Sequence, residues 1–157
     1  MAGSNQLRIR FTADSFAFYR ETMTGEIWME FDAEPFPERR WNDFPVRIVS
    51  WWCTALSDFL GERQLDTELM FMDGPYSVHL TSSGDDWDQV TARSEDSEFS
   101  CVCDPWELGW DVLRAAHQIL DFCRRCGIAT RDDAELLAAR DRLTTTLSER
   151  PDRFRRN

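Results

Sequence analysis

The sequence predicts a single α+β domain, in which an antiparallel sheet packs against helices. Three observations favour this class: alternating apolar residues at the N-terminus, two apolar runs around a strong turn signal in the middle of the chain, and helical periodicity near residue 50 and in the C-terminal third. We predict one sheet of about six strands, made of N-terminal strands, one inserted helix and then a four-strand meander, packed with two C-terminal helices. The 157 residues, 42% of them hydrophobic, suit one domain over 1–150 and a basic tail over 151–157.

The N-terminal strands come first. Leu7, Ile9 and Phe11 alternate with polar neighbours in QLRIRFT, and SFAFYRE and GEIWMEFDA continue the pattern, so two or three strands are expected. The next segment contains Pro35 and Pro37, which cannot donate a backbone hydrogen bond to a sheet. We therefore predict a loop there.

The inserted helix lies in the tryptophan-rich segment WNDFPVRIVSWWCTAL. Asn42 or Asp43 is expected to cap this helix, whose first turn tolerates Pro45. At about 100° per residue, Trp52 points to the middle of the apolar side and is predicted to be a core residue. Trp51 falls at the edge of that side, where its ring is half covered, so it is either a core-edge residue or a contact for a partner.

A hairpin and a meander follow the helix. Asp73-Gly74 is a strong turn signal between two apolar runs, so TELMFMDGPYSVHLTSS is predicted to form a hairpin, with Val78 and Leu80 facing the core and His79 facing outward. DWDQVTAR and SEFSCVC are expected to complete the four-strand meander.

The two C-terminal helices have readable boundaries. Asp104 is predicted to cap the first of them, with Pro105 in its first turn and Gly127 just beyond its end. A polar stripe from Glu107 to Arg125 lies opposite a continuous apolar face. The last helix is predicted in RDDAELLAARDRLTTTLSER.

The charge of the chain restricts its partners. A net charge of −11 disfavours direct binding to nucleic acid or to an anionic membrane surface and favours cationic partners. Residues 84–111 hold nine acidic residues and one arginine, so this segment alone carries −8. Because these acids fall on two adjacent predicted strands and the next helix start, we expect them to form one patch; the alternative is a solvated surface without a partner. The predicted partner-binding residues are Asp85, Asp86, Trp87, Asp88, Glu95, Asp96, Glu98 and Trp51.

The residues that could carry catalysis or bind metal do not form a recognisable motif. The sequence has no glycine-rich phosphate loop, no HExxH and no GxSxG. Cys123 and Cys126 lie on a predicted helix, whereas zinc-binding CxxC pairs normally lie on turns, so buried free thiols are expected. His117 and Asp121 are predicted to form a polar pair at the boundary between the polar and apolar faces of a helix. His79 belongs to a different element. We predict no catalytic residue, no metal and no cofactor; a small enzyme using His79 or His117 is an alternative.

The expected location is the cytoplasm. No apolar stretch reaches the roughly 20 residues that cross a bilayer, and the first residues lack the apolar region of a signal peptide. Five cysteines form an odd set, and thiols normally stay free in a reducing compartment.

Two segments, WNDFPVRIVSWW and FMDGPYSV, together with the acidic α+β character, resemble the immunity proteins of bacterial polymorphic toxin systems. The likeness is clearest over residues 41–80. It implies a protein that binds and neutralises one cognate toxin domain, which is basic where the toxin acts on nucleic acid. The acidic residues would then stand where phosphates lie, and Trp87 would be the apolar anchor. An adaptor in a bacterial complex is the alternative among binding proteins.

Overall fold

The computed structural model describes residues 6–83, 88–94 and 99–150. Its α+β class confirms the prediction, but the single sheet of about six strands is wrong, because the described strands form two antiparallel sheets of four strands each. The elements in chain order are β1 (Leu7–Tyr19), β2 (Thr22–Phe31), β3 (Glu34–Phe36), β4 (Asn42–Asp43), α1 (Pro45–Gly61), β5 (Asp66–Met70), β6 (Ser77–Ser82), β7 (Val90–Arg93), β8 (Ser100–Cys103), α2 (Pro105–Arg125) and α3 (Asp133–Ser148).

The first sheet is built around β2. β1 pairs with β2 along its length, with an irregularity between Thr12 and Ala17, and β3 and β4 pair with different parts of the other side of β2. The prediction that the segment around Pro35 is only a loop is wrong, because Pro35 lies in β3 opposite Glu30. An edge strand tolerates proline, since one side of its backbone needs no ladder hydrogen bond.

The start of α1 differs from its predicted form. Pro45 occupies the first turn as expected, but the capping residue is Phe44, which makes no side-chain cap hydrogen bond. Asp43 is instead fully buried. Its carboxylate accepts hydrogen bonds from four donors, namely Phe44 N (2.7 Å), Trp41 Nε1 (2.9 Å), Asp73 N (3.1 Å) and Met72 N (3.3 Å).

The inserted helix α1 forms the centre of the core. Trp52 is fully buried, which confirms its predicted role, and α1 packs against α2, α3, β2 and β5. Ser50 and Ser57, which the helical pattern places on the polar stripe, are also buried, because α3 covers that side of the helix. The hydroxyl of Ser57 donates to Cys53 O at 2.7 Å, so its polar group is satisfied within the helix.

The second sheet confirms the predicted hairpin and meander. Its strand order is β5-β6-β7-β8, with Met70 opposite Ser77 across the hairpin and Gly74 at a φ of 111°. Val78 and Leu80 are fully buried, as expected from the alternation along β6.

The C-terminal helices α2 and α3 pack against α1 and against each other and complete the core. Asp104 caps α2 as predicted, since its carboxylate accepts from Trp106 N at 2.8 Å, and Gly127 beyond the end of α2 has a φ of 66°. Three buried leucines of α3 join the same core cluster, namely Leu136, Leu143 and Leu147. None of the helices in the described ranges has the length and apolar character that crossing a bilayer requires.

Candidate partner-binding surface

Two of the eight predicted contact residues, Trp51 and Asp88, belong to the described part of the chain. The other six lie outside the described residues: Asp85, Asp86, Trp87, Glu95, Asp96 and Glu98.

The described strand ends nevertheless fix where the two acidic segments attach. Ser82 and Val90, which flank residues 83–89, are paired with each other, and Arg93 and Ser100 are paired at the other end of β7. Since β7 has four residues, the two points of attachment are about 10 Å apart. The N-terminus of α2 follows Cys103, which pairs with Val90, so it lies at the same end as residue 88.

Trp51 lies beside the interface between α1 and α3. It is partly buried and packs against the core. It shares a helix face with Arg47 and Asp58. Arg47 pairs with Asp132, the N-cap residue of α3, at 3.2 Å, and Asp58 pairs with Arg142 within α3. The structure thus places Trp51 at a core edge, as the helical pattern indicates.

Asp88 is held by an arginine from the end of α3. The Arg150 guanidinium donates to Asp88 Oδ1 at 2.9 Å and lies over the ring of Trp106, 5.2 Å from its centroid. Trp106 is buried in the first turn of α2. A carboxylate, an indole ring and a guanidinium therefore form one contact at this end of the molecule.

Asp104, the N-cap residue of α2, lies next to this contact. Burial raises the pKa of the Asp104 carboxyl above its usual value, and the negative charge of Asp88 adds to the increase. The hydrogen bonds from Trp106 N and Glu107 N and the charge of Arg150 oppose it. The Asp104 carboxyl is therefore partly desolvated and lies close to the Asp88 carboxylate at this end of the molecule.

A groove with a volume of about 380 Å³ lies between the first half of α2 and the start of β1. Asp104, Glu107 and Trp110 are among the residues that line it. Trp110 is 49% exposed, and Glu107, three residues before it, is also exposed. We call the surface formed by Asp88, Asp104, Glu107 and Trp110 the acidic end.

Asp111 and Arg114, two further residues of α2 that line the groove, hold β1. Asp111 Oδ2 accepts from Ile9 N at 2.6 Å, and Arg114 Nη2 donates to Ile9 O at 2.8 Å. Arg114 also donates to Asp111 Oδ1 at 2.8 Å, and Arg8 lies 3.9 Å from the same oxygen. The charge of Asp111 is therefore matched by arginines, whereas Glu107 stands free of any arginine within the described ranges.

The two histidines lie on separate elements. His117 borders a second groove, of about 720 Å³ between α2 and α3, together with Asp121, which pairs with Arg124 and Arg125. His79 lies on β6, with its Nε2 3.5 Å from Glu68 of the adjacent strand.

All five cysteines are free thiols. Burial raises the pKa of Cys53 and of Cys103 to about 12 and that of Cys123 to about 11, so these thiols stay protonated near neutral pH. In the part of the chain that the structure describes, no three histidine, cysteine or acidic residues are grouped closely enough to hold a metal ion.

Trp110 is a large exposed ring that was not among the contact residues predicted from the sequence. The helical pattern carried a signal, because a large ring next to Glu107, Asp111 and Arg114 stands beside the polar stripe and not in the middle of the apolar face.

Comparisons of this chain with protein-family models, with curated proteins and with solved structures found no match.

Proposed function

We propose that this protein is a non-catalytic binding protein that neutralises a basic partner protein, in the manner of an immunity protein bound to its toxin. The observation that carries the proposal is the acidic end, where Trp110 is half exposed and the exposed carboxylate of Glu107 has no arginine partner among the described residues. Aromatic rings on a surface are frequent centres of binding energy in protein interfaces.

The charges of the chain support a cationic partner. With a net charge of −11, the protein attracts basic proteins over long range and accelerates their association. Asp88 and Asp104 lie at the same end as Glu107, and Asp85 and Asp86 precede Asp88 in the chain with only Trp87 between. A partner docked here meets several carboxylates and one apolar ring.

The resemblance to immunity proteins supports a toxin domain as this partner. A toxin that acts on nucleic acid has a basic cleft, and carboxylates bound in that cleft exclude the phosphates of its substrate. Neutralisation then needs only tight binding and no chemical step by this protein.

The test is binding of a purified basic toxin domain encoded beside the gene, measured by calorimetry with two charge-reversal variants. One variant changes Asp85, Asp86 and Asp88 to lysine, and the other changes Glu95, Asp96 and Glu98. Because the two segments attach at opposite ends of β7, the first variant is expected to weaken binding by about 100-fold or more and the second by less.

A third variant, Glu135→Lys, is the control, because Glu135 is an exposed acid in the first turn of α3, away from the acidic end. Its binding should stay within about threefold of the unchanged protein. If the unchanged protein binds no basic toxin domain, or if all three variants bind equally well, the proposal fails.

A further inference from the structure

We infer that the groove beside Trp110 binds an arginine side chain of the basic partner, with the guanidinium stacked on the indole ring and paired with Glu107. The inference rests on the proposed function, since the partner supplies the arginine.

The chain itself contains an occupied example of this arrangement. Arg150 lies over Trp106 and donates to Asp88, so one guanidinium is already held between an indole ring and a carboxylate. With Arg150 in place, Trp106 is only 3% exposed.

A second indole ring with a carboxylate near it in the sequence follows one turn further along α2, in Trp110 and Glu107. Trp106 and Trp110 are four residues apart, so they lie on the same side of the helix and about 6 Å apart along its axis. Trp110 lacks an arginine like Arg150 among the described residues, and it is 49% exposed. A second guanidinium placed on Trp110 would continue the row that Arg150 begins.

The charges around the groove favour a cation on the side of Trp110. Arg114 is fully engaged by Asp111, Gln118 and the Ile9 carbonyl, and Asp111 is in turn matched by arginine. The carboxylate that remains for a ligand is that of Glu107, and Asp104 adds further negative charge next to it. Arg8 and Arg114 both lie against Asp111 near β1, so the place in the groove that favours a cation is the one beside Glu107 and Trp110.

Arginine fits this site better than lysine. A guanidinium is planar, so it stacks on an indole ring while its N–H groups donate to a carboxylate in the ring's vicinity, whereas an ammonium group is compact and more strongly hydrated. Preference for arginine over lysine at equal charge is therefore the signature of this site.

The test uses two peptides, hexa-arginine and hexa-lysine, titrated into the full chain, with affinity from calorimetry and the indole N–H signal of Trp110 followed by NMR. We expect hexa-arginine to bind about fivefold more tightly than hexa-lysine and to shift the Trp110 signal. Trp110→Ala should remove the preference, Trp110→Phe should keep part of it, and Glu107→Gln should weaken both peptides.

The matched controls are Tyr19→Ala and Glu135→Gln. Tyr19 is 70% exposed, lies in the β1–β2 hairpin and already carries Arg20 over its ring, and Glu135 occupies the first turn of α3 as Glu107 does that of α2. Both controls should retain the preference for hexa-arginine. Equal affinity of the two peptides for the unchanged protein, or a preference that survives in Trp110→Ala, would overturn the inference.

The toxin-binding experiment separates this inference from the proposed function. A toxin domain that binds the unchanged protein and the Trp110→Ala variant equally well overturns the arginine site and leaves the function standing. Arginine-selective peptide binding at Trp110 in a protein that binds no basic toxin domain supports the site and overturns the function.

Discussion

The edge strands β1 and β5 each have backbone groups that are bound by side chains, but the chemistry differs. On β1, the charged side chains of Asp111 and Arg114 bind the backbone N–H and C=O of Ile9. On β5, the indole N–H of Trp52 donates to Met70 O at 2.8 Å, and just beyond the strand the Asp43 carboxylate accepts from two backbone N–H groups of the hairpin loop.

The difference lies in exposure to water. The side chains of Asp111 and Arg114 are 12% and 36% exposed, so their charges are partly hydrated and screened by salt. Trp52 and Asp43 are both fully buried, so a lost hydrogen bond there leaves a group that water does not reach. We therefore expect the hydrogen bonds of Trp52 and Asp43 at β5 to contribute more to stability. Those of Asp111 and Arg114 at β1 should respond more to salt.

These side-chain bonds also occupy backbone groups on the outer edge of each sheet. An exposed edge strand presents unpaired N–H and C=O groups that favour pairing with another strand. The N–H and C=O of Ile9 and the C=O of Met70 already have side-chain partners, so these groups are not open to another strand.

The largest expected effect is that of Asp43→Ala. The substitution leaves four N–H donors without their acceptor, and we expect the free energy of unfolding to fall by about 4 kcal/mol in urea denaturation. Asp73→Ala is the control, because it removes an exposed carboxylate and keeps the backbone N–H; its effect should stay within about 0.5 kcal/mol. A loss below about 1 kcal/mol for Asp43→Ala would contradict the role given to this carboxylate.

The next effect is that of Trp52→Phe, compared with Trp51→Phe. The first substitution removes the donor to Met70 O and leaves a cavity, so a loss of about 2 to 3 kcal/mol is expected by the same measurement. The second changes a partly buried ring at the core edge and should cost less than about 1 kcal/mol. Equal losses for the two variants would mean that the hydrogen bond from the Trp52 indole to Met70 O does not stabilise the protein.

A smaller effect is expected for Asp111→Asn on the β1 edge. The charge-assisted bonds to Ile9 N and Arg114 weaken, and the free energy of unfolding should fall by about 1 to 1.5 kcal/mol at low salt. The loss should shrink as salt is added, since screening already weakens this pair in the unchanged protein.

Asp121→Asn is the matched control for this salt response. Asp121 lies on the same helix and pairs with Arg124 and Arg125, but it holds no strand, so a loss of at most about 0.5 kcal/mol is expected. If added salt leaves the loss of stability of Asp111→Asn unchanged, the charges at β1 are not screened by salt and the expected difference from β5 is wrong.

Local patterns predicted much of the fold. Asp104 and Pro105 mark the start of α2 because capping depends on residues within one turn, and Asp73-Gly74 marks the hairpin because a turn depends on its own residues. The role of Asp43 was wrongly predicted for the same reason. The sequence next to it suggests a helix cap, whereas two of its four donors come from a loop about 30 residues away.

The candidate surface was predicted only in part. The sequence located the acidic segment and its excess of charge, and Asp88 lies within it. It did not indicate that Arg150 binds Asp88, a contact across 62 positions, or that the groove next to β1 leaves Trp110 half exposed.

The sequence by itself determined the helices α1, α2 and α3, the central hairpin, most of the buried face of each helix and the net negative charge, because periodicity, capping and net charge depend on neighbouring residues or on simple sums. Tertiary structure alone decided the division into two sheets, the side-chain bonds at their edges, and the meeting of carboxylates with Trp110 at one end. These features depend on contacts between distant residues, such as Ile9 with Asp111, for which neighbouring residues carry no information.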